Sequence, residues 1–258
     1  MKEKLQAGQI PFGHMILEFG TRGIARILES AGIDFVLIDS EHSAFTAGDL
    51  ANLAAWFKAT SITPIVRIPE IHYHLIARTL DSGALGVMVP NVKNGDEARA
   101  IVDAAKYAPL GKRGVIMNHA HTEYKPADPT EFMAYSNANT SIVCQIESVE
   151  GIENLEAIAS TPGVDVLWVG HFDLTASMGI PGQFDHPQFI AALEKTVATA
   201  RKYGLAAGVQ PGNLAQAEAW MAMGFNAISY SGDFYVYAAA LQSGVNSLQK
   251  IAEKQPNR

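Results

Sequence analysis

The alternation of short apolar runs with longer amphipathic ones constrains the fold of this chain more than any other feature. The stretches between the apolar runs repeat apolar residues at i, i+3, i+4 and i+7, the spacing of an amphipathic helix. Eight pairs of strand and helix close most economically as a barrel, because an open doubly wound sheet usually has about five or six strands. The pattern predicts an α/β protein with a (β/α)₈ TIM barrel. The predicted strands are residues 12–19, 34–39, 63–68, 85–90, 141–147, 165–170, 205–210 and 226–231.

The chain length agrees with a single barrel. The 258 residues match the roughly 250 residues that one (β/α)₈ domain needs. We therefore predict one domain over residues 1–258, with a long irregular stretch at about 107–140 after the fourth helix. A loop of that length in a compact domain is usually functional, although a plain surface insertion has the same appearance.

Composition and charge narrow the classes of partner. The net charge of −7, from 19 basic and 26 acidic residues, argues against nucleic acid or an anionic membrane and favours a small molecule. The N-terminus has no apolar signal core, and no apolar stretch approaches 18 residues. The single cysteine, Cys144, has no partner for an internal disulfide and lies in an apolar run. These features predict a cytoplasmic protein with a buried thiol.

Polar residues follow nearly every predicted strand, whereas the strand interiors hold almost no charge. Active sites of this fold lie at the carboxyl ends of the strands, in the loops that follow. The polar residues at these positions therefore predict an active site on one rim of the barrel. They are Glu18, Asp39, Glu41, His42, Arg67, Asn91, Gln145, Glu147, His171, Asp173, Gln210 and Asp233.

Two carboxylates at adjacent strand ends indicate a metal site. Glu147 ends the fifth strand, and Asp173 comes just past the sixth. Carboxylates with the remaining positions left to water and substrate oxygens suit Mg²⁺ or Mn²⁺, with Co²⁺ or Zn²⁺ as alternatives. In another interpretation, Glu147 only caps the following helix or pairs with a lysine.

His42 is predicted to move a proton. Its unperturbed pKa of about 6.5 lies close to working pH, which suits acid and base catalysis. Asp39, three residues earlier, is predicted to hold the imidazole tautomer as a supporting carboxylate. Glu41 is assigned a supporting role, in an ion pair with a basic residue.

Several short motifs together resemble one known family. In their order and spacing, from about residue 10 to 240, they are similar to the HpcH/HpaI aldolases, divalent-metal-dependent pyruvate aldolases related to the citrate lyase β-subunit. The resemblance implies retro-aldol cleavage of a 2-keto-4-hydroxy acid to an aldehyde and pyruvate, or a close analogue such as hydroxypyruvate. It also implies a hexamer whose last helix is swapped between subunits. The motifs are "IDSEH", "VRIP", "LDSGALGVMVPNV", "GKRG", "QIES", "VGHFDLTASMG" and "GVQ".

The resemblance also implies roles for particular residues. Glu147 and Asp173 occupy the positions of the family's metal ligands, and Gln145 lines the same site. Arg67 adds positive charge beside the developing enolate oxygen. Asp81 is a carboxylate that reaches toward the site from a neighbouring subunit or from its own helix.

The loop after the sixth strand departs from the family pattern. Family members commonly have G-P-A-D-L there, whereas this chain has "GHFDL", with His171 and Phe172 before Asp173. The backbone N–H groups after Gly170 are expected to face the substrate carboxylate, because a helix begins there. An inward Phe172 ring would favour pyruvate or a small polar donor, and an outward ring would leave donor choice unaffected. His171 has two alternative roles, as a hydrogen-bond donor to hydroxypyruvate or as an extra metal ligand. Gln210, after the seventh strand, completes the predicted substrate-binding set.

Three other functions compete with this prediction. A Schiff-base aldolase needs a lysine inside the barrel, and the predicted strands contain none; Lys93 lies in a loop. A CoA-ester lyase needs a basic groove, for which only Lys112 and Arg113 are candidates. A ligand-binding barrel without catalysis would not need the set of catalytic side chains at the rim.

The last segment, residues 234–253, is apolar around much of its circumference, which predicts burial against a second subunit.

Overall fold

The computed structural model describes residues 1–254 and contains a closed barrel of eight parallel strands. Each strand pairs with the next in chain order, and the last strand pairs with the first. The predicted (β/α)₈ fold is therefore confirmed, while positions 255–258 of the predicted domain lie outside the described residues. The strands are β1 (Phe12–Ile16), β2 (Phe35–Asp39), β3 (Thr63–Arg67), β4 (Gly86–Val89), β5 (Ser141–Ile146), β6 (Val166–Val169), β7 (Ala206–Val209) and β8 (Ala227–Gly232).

Helices surround the barrel and connect successive strands. Four amphipathic patterns in the sequence, at residues 21–32, 48–60, 95–108 and 186–204, each overlap a helix of the structure. The helices are α1 (Lys2–Gln6), α2 (Ile24–Ser30), α3 (Ala47–Phe57), α4 (Tyr73–Asp81), α5 (Gly95–Ala105), α6 (Pro129–Asn139), α7 (Val149–Glu153), α8 (Leu155–Ala159), α9 (His171–Ser177), α10 (Pro187–Lys202), α11 (Leu214–Met223) and α12 (Asp233–Glu253), with a short 3₁₀ turn at Ala120–Thr122.

The strands are apolar on both faces because each face is buried. Phe35 and Leu37 of β2 point into the barrel, while the alternate residues Val36 and Ile38 pack against the helices. Inside the barrel, the ring of Phe35 meets the edge of Trp168 at a centroid distance of 6.4 Å. A glycine lies beside each of these large rings, and a Cβ at Gly13 or Gly208 would overlap them. The interior is thus a packed core, which leaves the rim for chemistry.

The single thiol lies in the outer layer of this core. Cys144 is fully buried, and burial raises the pKa of its thiol to about 12. A thiol with so high a pKa is almost entirely protonated near neutral pH and is a poor nucleophile. The predicted buried thiol is confirmed.

β1 is shorter than its sequence pattern predicts, because the backbone N–H groups that follow Ile16 bind a carboxylate instead of a neighbouring strand. The side chain of Asp233 accepts hydrogen bonds from the backbone N–H groups of Leu17, Glu18 and Phe19 at 3.2, 2.9 and 2.7 Å. The strand therefore ends at Ile16. Asp233, which the sequence placed among the polar rim residues, holds the β1 loop in position.

The stretch at 107–140 is less irregular than predicted. It contains α6, whose first turn is capped by Asp128, with Pro129 at the first helical position. Because it joins α5 to the start of β5, this stretch lies at the amino end of the strands, opposite the rim. The side chain of Lys106 donates hydrogen bonds to the carbonyls of Asn137 and Thr140 at the end of α6. Burial lowers the pKa of Lys106 to about 8. Within one chain, the stretch therefore does not reach the carboxyl ends of the strands, which form the rim.

The last helix projects from the barrel. Asp233 is its only buried residue, and every residue from Phe234 to Lys254 is exposed. Within residues 1–254, no helix combines the length and apolar character that a membrane crossing requires. The large exposed apolar residues of α12 are Phe234, Tyr235, Val236, Tyr237, Leu241, Val245, Leu248 and Ile251.

Candidate active site

Two adjoining cavities open at the carboxyl ends of the strands. The inner cavity, of about 280 Å³, is lined by residues that include Arg67, Gln145, Gly170 and Gln210. The outer cavity, of about 470 Å³, is lined by residues that include Glu41, Asn91, Lys93, Glu147 and Ser148. His42 and Asp173 line both cavities. The structure therefore brings most of the predicted site residues together at one rim.

Arg67 is fixed at this rim by a buried ion pair. Residues Asp39 and Arg67 are direct cross-strand neighbours of β2 and β3. The guanidinium donates from Nε and Nη2 to the two oxygens of Asp39 at 2.9 and 2.8 Å, and Nη1 lies 3.3 Å from Oε2 of Glu41. Asp39 is fully buried, so this two-bond contact is shielded from water. The side chain of Arg67 consequently has one orientation, toward the inner cavity.

The predicted contact between Asp39 and His42 is wrong. Both oxygens of Asp39 are engaged by Arg67, because the strand register places the two side chains opposite one another. His42 lies in the following loop with a side chain that is 59% exposed, and its Nε2 is 3.7 Å from Oε2 of Glu41. Glu41 is therefore the carboxylate beside His42, and it links the imidazole to Arg67.

Glu147 is a buried carboxylate held by two donors. The backbone N–H of Asn91 donates to Oε1 at 2.6 Å, and Nε2 of Gln145 donates to Oε2. Burial, together with the negative charges of Asp173 and Glu41, raises the pKa of Glu147 to about 7, although the two hydrogen bonds act to lower it. Burial also raises the pKa of Glu41. Concentrated negative charge of this kind favours a cation.

The oxygen atoms at the rim fit a hard divalent ion. Glu147 and Asp173 supply carboxylates, and one further buried oxygen, Oε1 of Gln145, accepts no hydrogen bond in the described part of the chain. Oxygen-only sites suit Mg²⁺ or Mn²⁺. Residues 1–254 contain no group of three or more His, Cys, Asp or Glu side chains arranged to hold a metal. A cation bound here would therefore retain positions for water or substrate.

The start of α9 forms one wall of the inner cavity. The His171 ring packs among the rings of Phe172, Phe184 and Trp220, at centroid distances of 4.7, 5.1 and 5.5 Å. Burial lowers the pKa of His171 to about 4, so its ring is neutral near pH 7. The Phe172 side chain is 63% exposed and lies at the mouth of the cavity, so the inward ring that a narrowed donor pocket requires is not found.

Gly170 is required by the position of Glu147. A Cβ at residue 170 would overlap the Glu147 carboxylate and come within 2.8 Å of Nε2 of Gln145. We expect Gly170→Ala to lower kcat about 10²-fold, because small displacements of catalytic groups have effects of this size. Gly212→Ala is the matched control, since Gly212 lines the same cavity but its Cβ would meet only Oε1 of Gln216, at 3.5 Å. Equal kcat values for the two variants would contradict this expectation.

Asp81 lies at the opposite end of the barrel. It is the last residue of α4, which leads into the start of β4, and its carboxylate is 2.5 Å from Nη2 of Arg113. The alternative in which Asp81 reaches the site from its own helix is therefore wrong, because helix carboxyl ends and strand carboxyl ends lie on opposite faces. A contribution to a neighbouring subunit's site stays a prediction.

Two residues of the site have roles that the sequence did not predict, although Asn91 was among the polar residues of the predicted rim. The backbone of Asn91 holds Glu147, and the only signal in the sequence is an asparagine after a strand-ending proline. Tyr235, from the first turn of α12, lines the inner cavity. No sequence pattern distinguishes Tyr235 from the other aromatic residues of that helix.

Comparisons with known proteins agree with this geometry. A family model described as HpcH/HpaI aldolase/citrate lyase matches residues 18–238. The chain belongs to this family. A 2-keto-3-deoxy-L-rhamnonate aldolase of Salmonella gallinarum is 33% identical over 97% of this chain and 93% of its own length. A hydroxypyruvate/pyruvate aldolase of Paraburkholderia phytofirmans is 35% identical over 90% of this chain and 91% of its own length.

A solved structure extends the agreement to three dimensions. The HpcH/HpaI aldolase from Desulfitobacterium hafniense has a TM-score of 0.90 and 33% identity, covering 100% of this chain and 98% of the other. The family resemblance predicted from the motifs is confirmed. This member of the HpcH/HpaI family is a carbon–carbon lyase of the class II aldolase type.

Proposed function

We propose that this HpcH/HpaI aldolase uses Mg²⁺ or Mn²⁺ to cleave a 2-keto-4-hydroxy acid to an aldehyde and either pyruvate or hydroxypyruvate. The observation that carries the proposal is the convergence of the fixed Arg67 guanidinium with the carboxylates of Glu147 and Asp173 at one rim. Retro-aldol cleavage leaves an enolate, which needs stabilisation of negative charge at the keto oxygen and a base for the hydroxyl proton.

Stabilisation of the enolate is assigned to the place where the two cavities adjoin, since Arg67 lines the inner cavity, Glu147 the outer one and Asp173 both. A divalent ion held by Glu147 and Asp173 would supply Lewis acidity toward the keto oxygen. Arg67 directs its guanidinium at the same oxygen, and Asp39 keeps that charge in place throughout the reaction. A fixed charge in a partly buried site costs no reorganisation when the enolate forms.

Proton transfer is assigned to His42. The residue lines both cavities, so a substrate that extends from one to the other passes its imidazole. His42 accepts the proton of the 4-hydroxyl as the carbon–carbon bond breaks. Glu41, 3.7 Å from Nε2, stabilises the imidazolium that results.

The donor ketoacid is assigned to the inner cavity. Gly170 and the first residues of α9 form its wall, and Gln145 and Gln210 supply amide groups. The hydroxypyruvate/pyruvate aldolase among the relatives supports a donor of this size. His171 contributes by packing at the start of α9, since its ring contacts other rings.

The test is an assay of pyruvate and hydroxypyruvate release from a panel of 4-hydroxy-2-keto acids. Phe172→Ala and the wild type are compared in the aldol direction with pyruvate, hydroxypyruvate and 2-oxobutyrate as donors. Because the Phe172 ring lies at the mouth, the kcat/KM ratios among the three donors should change less than about twofold. No release of either ketoacid from any member of the panel would refute the proposed function.

The competing CoA-ester lyase has little support at this rim. Lys112 pairs with Asp103 at 2.6 Å, and Arg113 pairs with Asp81, both at the far end of the barrel. The two residues therefore do not form a basic groove beside the inner cavity.

We further propose a homo-hexamer in which α12 packs against a neighbouring subunit. In a barrel of this type, the final helix would normally cover the strands that close the ring, yet no residue of α12 beyond Asp233 is buried. The exposed apolar residues along α12 would destabilise a monomer in water. Light scattering at micromolar concentration should give six times the chain mass of 27.7 kDa. A monomer mass would contradict the swapped helix.

A further inference from the structure

The bend after β4 determines where the Glu147 carboxylate lies. Asn91 follows Pro90 and has a φ of 51°, in the left-handed region. Its backbone N–H points at Glu147, and the next N–H, of Val92, returns to the carbonyl of Gln145 at 3.0 Å. The bend thus removes one N–H from the pairing between β4 and β5 and directs it at a carboxylate.

The carboxylate has little freedom once this bond is made. Glu147 is 7% exposed, and Gln145 binds its second oxygen. Gly170 approaches so closely that a single added carbon would displace it. Each oxygen accepts one hydrogen bond and keeps a further lone pair, so the held orientation leaves both oxygens able to bind a cation.

The residue type at position 91 matters through the backbone. Among residues that have a Cβ, asparagine enters the left-handed region most readily, and β-branched residues are outliers there. The Asn91 residue is exposed and lines the outer cavity. A glycine would keep the bend without the amide, whereas a valine would oppose the bend.

We propose that Asn91 is a positioning residue of the metal centre, whose left-handed backbone, rather than its amide, holds Glu147 in the orientation that binds a divalent cation. The inference rests on the proposed metal-dependent function. It predicts that the affinity for the metal falls as the left-handed conformation at residue 91 becomes less favourable. The polarity of the side chain at that position should not matter.

The experiment is a titration of the full-length protein with Mn²⁺ after dialysis against EDTA. Calorimetry measures the heat of binding, and electron paramagnetic resonance measures the concentration of free Mn²⁺. Asn91→Gly should bind Mn²⁺ within about twofold of the wild type, since glycine adopts positive φ freely. Asn91→Val should bind at least about tenfold more weakly, because a hydrogen bond to a charged carboxylate is strained or lost. Circular dichroism checks the folding of each variant.

A matched control separates backbone strain from metal positioning. Asn118 has a φ of 57°, close to that of Asn91, and lies in the stretch at the other end of the barrel. Asn118→Val introduces the same strain and should leave Mn²⁺ affinity unchanged. If Asn91→Val does not fold, Asn91→Ala, which retains the Cβ without the branch, should show a weakening of about threefold or more.

The outcomes distinguish this inference from the proposed function. Wild-type Mn²⁺ affinity in folded Asn91→Val would overturn the positioning role, and weak binding by Asn91→Gly would overturn the backbone explanation. Glu147→Gln is the reference for the metal site itself. If the wild type binds no Mn²⁺, or Glu147→Gln binds as tightly as the wild type, the metal site fails, and the role of Asn91 fails with it.

Discussion

Replacing Arg67 with alanine is expected to lower kcat/KM for cleavage by about 10²- to 10³-fold, because the fixed positive charge beside the enolate oxygen is lost. The same change should lower the free energy of unfolding by about 3 to 5 kcal/mol, since the fully buried Asp39 would retain a carboxylate without its ion-pair partner. Urea denaturation measures the second effect, and steady-state kinetics at a temperature where the variant stays folded measures the first.

Two variants test whether the geometry of Arg67 matters as well as its charge. Arg67→Lys keeps the charge but cannot form the paired bonds from Nε and Nη2, so it should restore only a minor part of the activity. Arg26→Ala removes an arginine from the exposed pair with Glu29 and should change neither activity nor stability measurably. Wild-type kcat/KM in Arg67→Ala would show that the enolate is stabilised elsewhere.

Replacing Glu147 with glutamine should abolish both metal binding and cleavage, with kcat lowered by at least about 10³-fold. The substitution removes a negative charge from the site. It also places an amide group where Asn91 and Gln145 each donate a hydrogen bond, so one donor would face another donor. Mn²⁺ titration and pyruvate release measure the two losses separately.

Glu153→Gln is the matched control for this change. Glu153 is an exposed carboxylate at the end of α7, six residues from Glu147, and lines neither cavity of the rim. Its substitution should leave Mn²⁺ affinity and kcat unchanged. Normal Mn²⁺ binding by Glu147→Gln would mean that the cation is held by other residues.

The barrel could be predicted because its signal is repeated along the chain. Both faces of a parallel strand are buried, so each strand forms an apolar run, and the helix between two strands has a different period. The rim followed from the same pattern, since the carboxyl ends of all eight parallel strands meet at one end of the barrel. The side chains of Arg67, Glu147 and Asp173 were located in this way.

Contacts between side chains at the rim could not be predicted as reliably. The pairing of Asp39 with Arg67 depends on the register of β2 against β3, which leaves no mark in the sequence. Closeness along the chain suggested His42 instead. Arg67, the cross-strand neighbour of Asp39, contacts its carboxylate, whereas His42, three positions along the chain in a loop, does not.

Two local signals in the sequence mark features that the alternation of strands and helices alone does not predict. Asp128 followed by Pro129 marks the start of α6, inside a stretch that we predicted to be irregular. Asp81 ends a helix that leads into a strand, which places it at the amino end of the barrel. The projecting α12 is different, because its apolar circumference predicts burial against a second subunit but does not show that the helix leaves the surface of its own barrel.

The most direct test of the central claim is release of pyruvate or hydroxypyruvate from 4-hydroxy-2-keto acids before and after removal of metal. The protein is treated exhaustively with EDTA, assayed, and assayed again with added Mg²⁺, Mn²⁺, Co²⁺ or Zn²⁺. We expect cleavage to disappear on chelation and to return with at least one of these ions, Mg²⁺ or Mn²⁺ most fully. Undiminished cleavage by protein in which elemental analysis finds no bound metal would contradict the account.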